Sequence, residues 1–120
     1  GMLYDDEKIG DITHQCRFGC VVGSAGLSVV HLMSFSLPTI VHYDMHSHQG
    51  PEPSYICDGV NGWFYGQYLD MDGLQNKLQL VYGISAEEMK KVQSSAFQTY
   101  LDLSTPPFHE RMLKIMDLLP

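Results

Sequence analysis

Apolar positions along this chain change their period near residue 70. Before it they fall in short continuous runs, at 18–22 (FGCVV), 27–35 and 39–41 (TIV). After it they recur three and four apart, as on one face of a helix. A short apolar run bounded by turn residues suits a strand covered on both faces, so 18–22 and 39–41 are predicted as buried strands. Residues 27–35 are apolar nearly all round, which predicts a buried helix, and Pro38 stops it. Strand, helix and strand with short links make a βαβ unit, with parallel strands and a right-handed crossover.

Ahead of this unit, Asp5 or Asp6 can cap a short helix with Ile9, Ile12 and Cys16 on its apolar face. Beyond it, 43–53 is a polar loop ending in Gly50-Pro51-Glu52-Pro53. Residues 58–62 (DGVNG) are turn chemistry in which Gly and Asn can take positive φ. Trp63-Phe64-Tyr65 then reads as a short aromatic core strand. In the second half, Leu74, Leu78 and Val81 mark one helix, with Asp70 or Asp72 near its start. Ser85 and Glu88 form a capping box for the next, which carries Met89, Val92, Ala96, Phe97 and Tyr100 on one side. Thr105 with Pro106 predicts a cap and first-turn proline. The last helix then has Phe108, Met112, Ile115, Met116 and Leu119 on an inner stripe.

The expected organisation is one α/β domain over 1–120, with a strand/helix core at 3–66 and a helical tail at 67–120. Three or four strands leave at least one sheet edge exposed. A length of 120 residues at 44% hydrophobic content is enough for one small globular core. The formal charge is −7, and the seven Lys and Arg are scattered, which excludes the clustered bases of a nucleic-acid footprint. No window reaches the apolar length of a membrane span, and the acidic N-terminus is unlike a signal peptide, so a cytoplasmic location is expected. Gly1 before Met2 reads as a protease scar. The three Cys make no CxxC pair and are expected as free, mostly buried thiols.

Candidate chemistry centres on the turn of Gly23, Ser24, Ala25 and Gly26. It has no bulky side chain and opens onto a helix start, where free N–H groups and the helix dipole favour an anion. The plainer reading is a tight strand-to-helix connection. His31 is either a core histidine or a group near that turn. His42, Asp44, His46 and His48 fall at every second position, a donor set that suits zinc. On an extended strand they would stand in a row about 6–7 Å apart and would not converge. No metal and no cofactor is therefore assigned. No Ser-His-Asp or Cys-His arrangement has local support, and His14 and His109 read as surface residues.

The order of features resembles the C-terminal, nucleotide-sugar-binding domain of group 1 glycosyltransferases, the retaining family with the two-Rossmann GT-B architecture. The residues that carry the likeness are the buried strand, the turn before Gly26-Leu27, the apolar helix, Pro38-Thr39-Ile40-Val41, Gly50-Pro51-Glu52 and 58–62. The likeness runs from Leu3 to Leu119. It implies a partial Rossmann-like, three-layer domain with a small parallel sheet and a C-terminal helical cluster. It also implies a UDP- or GDP-sugar donor held at Gly23, Ser24, Ala25, Gly26, Leu27, His31 and Glu52. In that picture the amides of Gly26 and Leu27 meet the diphosphate, His31 lies near the ribose and Glu52 closes on the nucleotide.

The chain departs from the family where two glutamates eight positions apart become Gly23 and His31. It departs again where Gly-x-Pro becomes Ser36-Leu37-Pro38. The family's basic residues for the diphosphate and its N-terminal acceptor domain lie upstream of this chain. No residue is assigned as catalytic. The alternatives are an inactive truncated remnant that covers its open edges in a homodimer and acts as an interaction module, and, more weakly, a metal-binding module at 42–48.

Overall fold

A computed structural model describes residues 5–118 of the chain. The architecture is α/β, with helices around a three-stranded parallel sheet of order β1-β2-β3. The strands are β1 (Gly19–Cys20), β2 (Thr39–Val41) and β3 (Gly62–Phe64). Gly19 pairs with Thr39 and Cys20 with Ile40, while Thr39, Ile40 and Val41 pair with Gly62, Trp63 and Phe64.

The central strand β2 is buried at all three residues, as its continuous apolar run predicts. Alternation sends Ile40 and Trp63 into one core cluster, with Tyr65, Leu74 and Val81. Val41 and Phe64 go into another, with Ala25, Val29, Met33 and Ile56. Gly62 leaves no room for a side chain beside β2: a Cβ there would lie 2.7 Å from the Thr39 carbonyl oxygen.

The edge strand differs from expectation. β1 has two residues rather than five, and Cys20 and Val22 are exposed because no strand among the described residues pairs with its outer edge. Cys16 and Cys57 are exposed as well, so the expectation of buried thiols fails for all three free cysteines.

Asp5 caps α1 (Asp6–Thr13), its carboxylate accepting the N–H groups of Glu7 and Lys8 at 3.0 and 3.4 Å. The predicted apolar face of α1 is not buried: Ile12 is exposed, and Cys16 lies beyond the helix end. Helix α2 (Ser28–Ser34) buries Val29 and Met33 but exposes His31, and Leu27 just ahead of it is exposed too, so the segment is covered on one face, not all round.

Its end is a Schellman turn. Ser36 takes φ 59°, its N–H donates to the Met33 carbonyl, and the Leu37 N–H reaches the Leu32 carbonyl at 3.0 Å.

Asp70 caps α3 (Met71–Tyr82) through the Gly73 N–H at 2.9 Å. Ser85 caps α4 (Ala86–Ser104) through the Glu88 N–H at 3.2 Å. Met89, Val92 and Ala96 of α4 are buried, Tyr100 is half-buried and Phe97 is exposed. Helix α4 packs across α2.

The last helix, α5 (Phe108–Asp117), begins after Pro107 rather than at Thr105-Pro106. Arg111 fixes the corner, donating from Nε to the Pro106 carbonyl at 2.7 Å and from Nη2 to the Leu103 carbonyl. Every residue of α5 is exposed, so the predicted inner stripe of Phe108, Met112, Ile115 and Met116 faces solvent. Leu119, the last member of that stripe, lies outside the described residues, as does Leu3 at the start of the family likeness. No helix among the described residues is long and apolar enough to cross a membrane.

Candidate functional site

The 43–53 loop is not extended. Single 3-10 turns at Met45–Ser47 and Glu52–Tyr55 fold it back over the start of α2. This brings residues 26–28 and 49–52 together as two walls of an open groove of about 540 Å³. Of the predicted residues, Gly26, Leu27 and Glu52 line the groove. The N–H groups of Gly26 and Leu27 find no acceptor among the described residues. Leu27 itself is the N-cap residue ahead of α2 and is exposed.

Glu52 opens the second 3-10 turn, and its carboxylate leans over Gly50 so closely that a side chain at position 50 would collide with it. Its Oε2 is buried and has no hydrogen-bond partner. A carboxylate oxygen in that position is an acceptor that the fold itself leaves unused.

The other predicted residues stand apart from the groove. Gly23 and Ser24 do not line it, and a Cβ at Gly23 would meet nothing within 4 Å. His31 is exposed on α2, its ring tilted on Phe35 with centroids 5.2 Å apart. Ala25 lies under the turn, only 1% exposed, and is gripped at both backbone groups. Its N–H donates to His48 Nδ1 at 2.9 Å, and its carbonyl accepts the Gln49 N–H at 3.0 Å.

The sequence places His48 only in the row of alternating donors in the polar loop; the structure makes it the link between the turn and the end of β2. Its Nε2 lies 2.7 Å from the His42 carbonyl oxygen. Because Nδ1 accepts from Ala25, Nε2 must carry the hydrogen, which fixes the neutral ring in one tautomer. The His42 ring stacks on it at 3.8 Å and 8°. His42 is fully buried against the edges of Tyr65 and Tyr68, and neither of its ring nitrogens has a partner. Burial pushes its pKa down, His48 adds to that, and Asp44 opposes it.

Asp44 and His46 turn toward a separate open cavity of about 520 Å³ shared with Tyr43, Met45 and Gln67. The Asp44 carboxylate accepts from Ser47 Oγ at 2.8 Å, which is the largest cause holding its pKa below the usual range. Among the described residues no three His, Cys, Asp or Glu converge as metal ligands would.

Asn61 is also more than the turn residue expected. It is buried, its Oδ1 accepts the Cys57 N–H at 2.7 Å, and its Nδ2 donates to the Tyr55 carbonyl and to Thr99 Oγ1. The positive φ of this segment falls on Gly59. The sequence signal for Asn61 is a polar residue directly beside an aromatic core strand. Compared with protein-family models and with curated proteins, the chain matches none.

Proposed function

We propose that this chain is the donor-binding part of a glycosyltransferase of the group 1, GT-B type, with a partial Rossmann-like core, and that the groove takes a nucleotide diphosphosugar. The observation that carries this reading is the groove itself. One wall carries the unpartnered amides of Gly26 and Leu27, and the other is lined by Glu52, whose Oε2 is buried over Gly50 and has no partner. Amides at a helix start suit the leaving diphosphate, and a carboxylate acceptor suits the hydroxyls of the nucleotide. Gly23 supplies no side chain for the donor sugar, and the open space around it is where a family glutamate would fit. The role assigned here is binding; no residue is assigned as nucleophile or general base.

The test is amide NMR of the whole chain with UDP, GDP and their sugars. Shifts confined to residues 26–28 and 49–52 are expected. Spectra unchanged at millimolar ligand would end the reading for this chain.

A second reading, an interaction module built from the same fold, is favoured by the surface area. A folded chain of this mass exposes about 6,500 Å², against 8,012 Å² here. An excess of about 1,500 Å² exceeds the roughly 800 Å² that one partner buries in a standard interface. The exposed residues of α5 contribute to it. Light scattering across a concentration series decides it: a strict monomer counts against a homo-oligomer.

A further inference from the structure

Ala25 is held at both its N–H and its carbonyl by the loop at 48–49, and the N–H is held by an imidazole rather than by backbone. An imidazole nitrogen accepts a hydrogen bond only while it is unprotonated. Once Nδ1 of His48 carries a proton, two N–H groups face each other and the contact becomes repulsive. The same ring lies flat on His42, so a charge on either ring is placed against an imidazole in a buried setting. The two segments that this arrangement joins continue directly into the two walls of the groove.

We propose that the His42–His48 stack is a proton-operated latch, which closes the 23–26 turn onto the 48–49 loop when neutral and releases it when protonated. The latch needs no ligand, so it stands or falls apart from the donor-binding reading. The titratable groups around the pair are Asp44 and His46 on the same loop, and Tyr65 and Tyr68 beyond β3. Behind Tyr65 stand Cys20 on β1 and Asp70 at the start of α3. Asp44 is the one group among these whose charge favours a protonated His42, and its carboxylate is already engaged by Ser47. Burial and the neighbouring ring act the other way on His42 and favour its neutral form. On release, the Ala25 N–H and carbonyl lose their partners together. The groove then loses its fixed width, because its second wall is anchored through Gln49.

The experiment is a pH titration of the full chain, uniformly labelled with ¹⁵N, from about pH 8 to about pH 5, the range in which an imidazole changes charge. At the upper end, His48 is expected to show an unprotonated Nδ1 and a protonated Nε2. On acidification the amide protons of Ala25 and Gln49 move upfield along one shared transition, in step with the His48 ring nitrogens. In His48→Asn, whose amide oxygen can accept from Ala25 without titrating, that transition is absent. An Ala25 amide that stays put across the range, or a His48 protonated at Nδ1 at the upper end, overturns the latch. The same transition persisting in His48→Asn also overturns it. Should that variant fail to fold, the ring-nitrogen shifts of the unmodified chain decide the matter.

Discussion

The Tyr65 hydroxyl donates to the Val22 carbonyl at 2.6 Å across 43 positions of sequence. It ties the end of β3 to the segment leaving β1, over the top of β2, and it sits beside the turn that leads into the groove. Tyr65 is buried at 4% exposure, so its phenol has no water to fall back on. Tyr65→Phe leaves the Val22 carbonyl without this donor and is expected to cost about 1–2 kcal/mol. Urea denaturation reads this directly, and a variant as stable as the parent would show the bond to be idle. Burial also raises the phenol's pKa above its ordinary 10.0. The folded state therefore holds this proton more tightly than the unfolded state does. Its contribution is complete below pH 10.0 and is lost as the pH rises through the higher folded value. Tyr65→Phe is expected to flatten that alkaline limb.

Asn61 joins three parts of the chain through one carboxamide: the Cys57 N–H, the Tyr55 carbonyl and Thr99 of α4. Removing it strands buried donors and acceptors in a site that is 4% exposed. Asn61→Ala is expected to cost about 2–4 kcal/mol, from two or more such groups left unpaired. Asn61→Asp keeps the acceptor for Cys57 but turns the Nδ2 donor into a second acceptor facing the Tyr55 carbonyl. It should be at least as damaging near neutral pH and partly relieved in acid. A thermal melt of both variants checks this, and equal stability of Asn61→Ala and the parent would refute it.

The parts of this fold that were legible in the sequence are those where one local rule acts alone. The continuous run at 39–41 gave a buried central strand, and Asp70 and Ser85 are helix caps set by their own side chains. Where packing decides, the pattern misled. Residues 108–116 carry an amphipathic stripe, yet α5 leaves it in solvent because none of the other described elements lies over it. Phe18 to Val22 reads as a five-residue strand, but an edge strand pairs only where a neighbour reaches it, here at Gly19 and Cys20. In the candidate site, Gly26, Leu27 and Glu52 could be found from turn chemistry and order of motifs. His48 could not, because its role depends on two 3-10 turns that bring it back beside Ala25.

Ser36 shows how a departure from an expected glycine is accommodated. It holds the left-handed position of the Schellman turn with φ 59°, where a Cβ is unfavourable. The hydrogen bonds of the turn are backbone only, from Ser36 to Met33 and from Leu37 to Leu32, so they survive any change of side chain. Ser36→Gly should therefore stabilise the chain by about 1 kcal/mol, the strain relieved outweighing the added freedom of the unfolded chain. A raised urea midpoint with an unchanged slope is the expected result. A lowered midpoint would mean that the serine hydroxyl makes an interaction stronger than the strain.

His42 sets the behaviour of the fold in acid. Its pKa lies below the ordinary 6.5, chiefly because burial disfavours the charged ring, with His48 adding to this and Asp44 partly offsetting it. In the window just below 6.5 the unfolded chain takes up a proton that the folded chain refuses. Stability is therefore complete above that value and falls as the pH drops toward the lower folded pKa. Asp44 works in a separate range, since its carboxyl is held below the ordinary 3.8, first by the Ser47 hydrogen bond. The two acid limbs are thus distinguishable. His42→Phe keeps a flat ring to stack on His48 and removes the titrating group. Urea midpoints measured from about pH 7.5 to about pH 5 should fall for the parent and fall less for this variant. A parent whose midpoint is level across that range would show that His42 titrates equally in both states, and that its burial carries no cost.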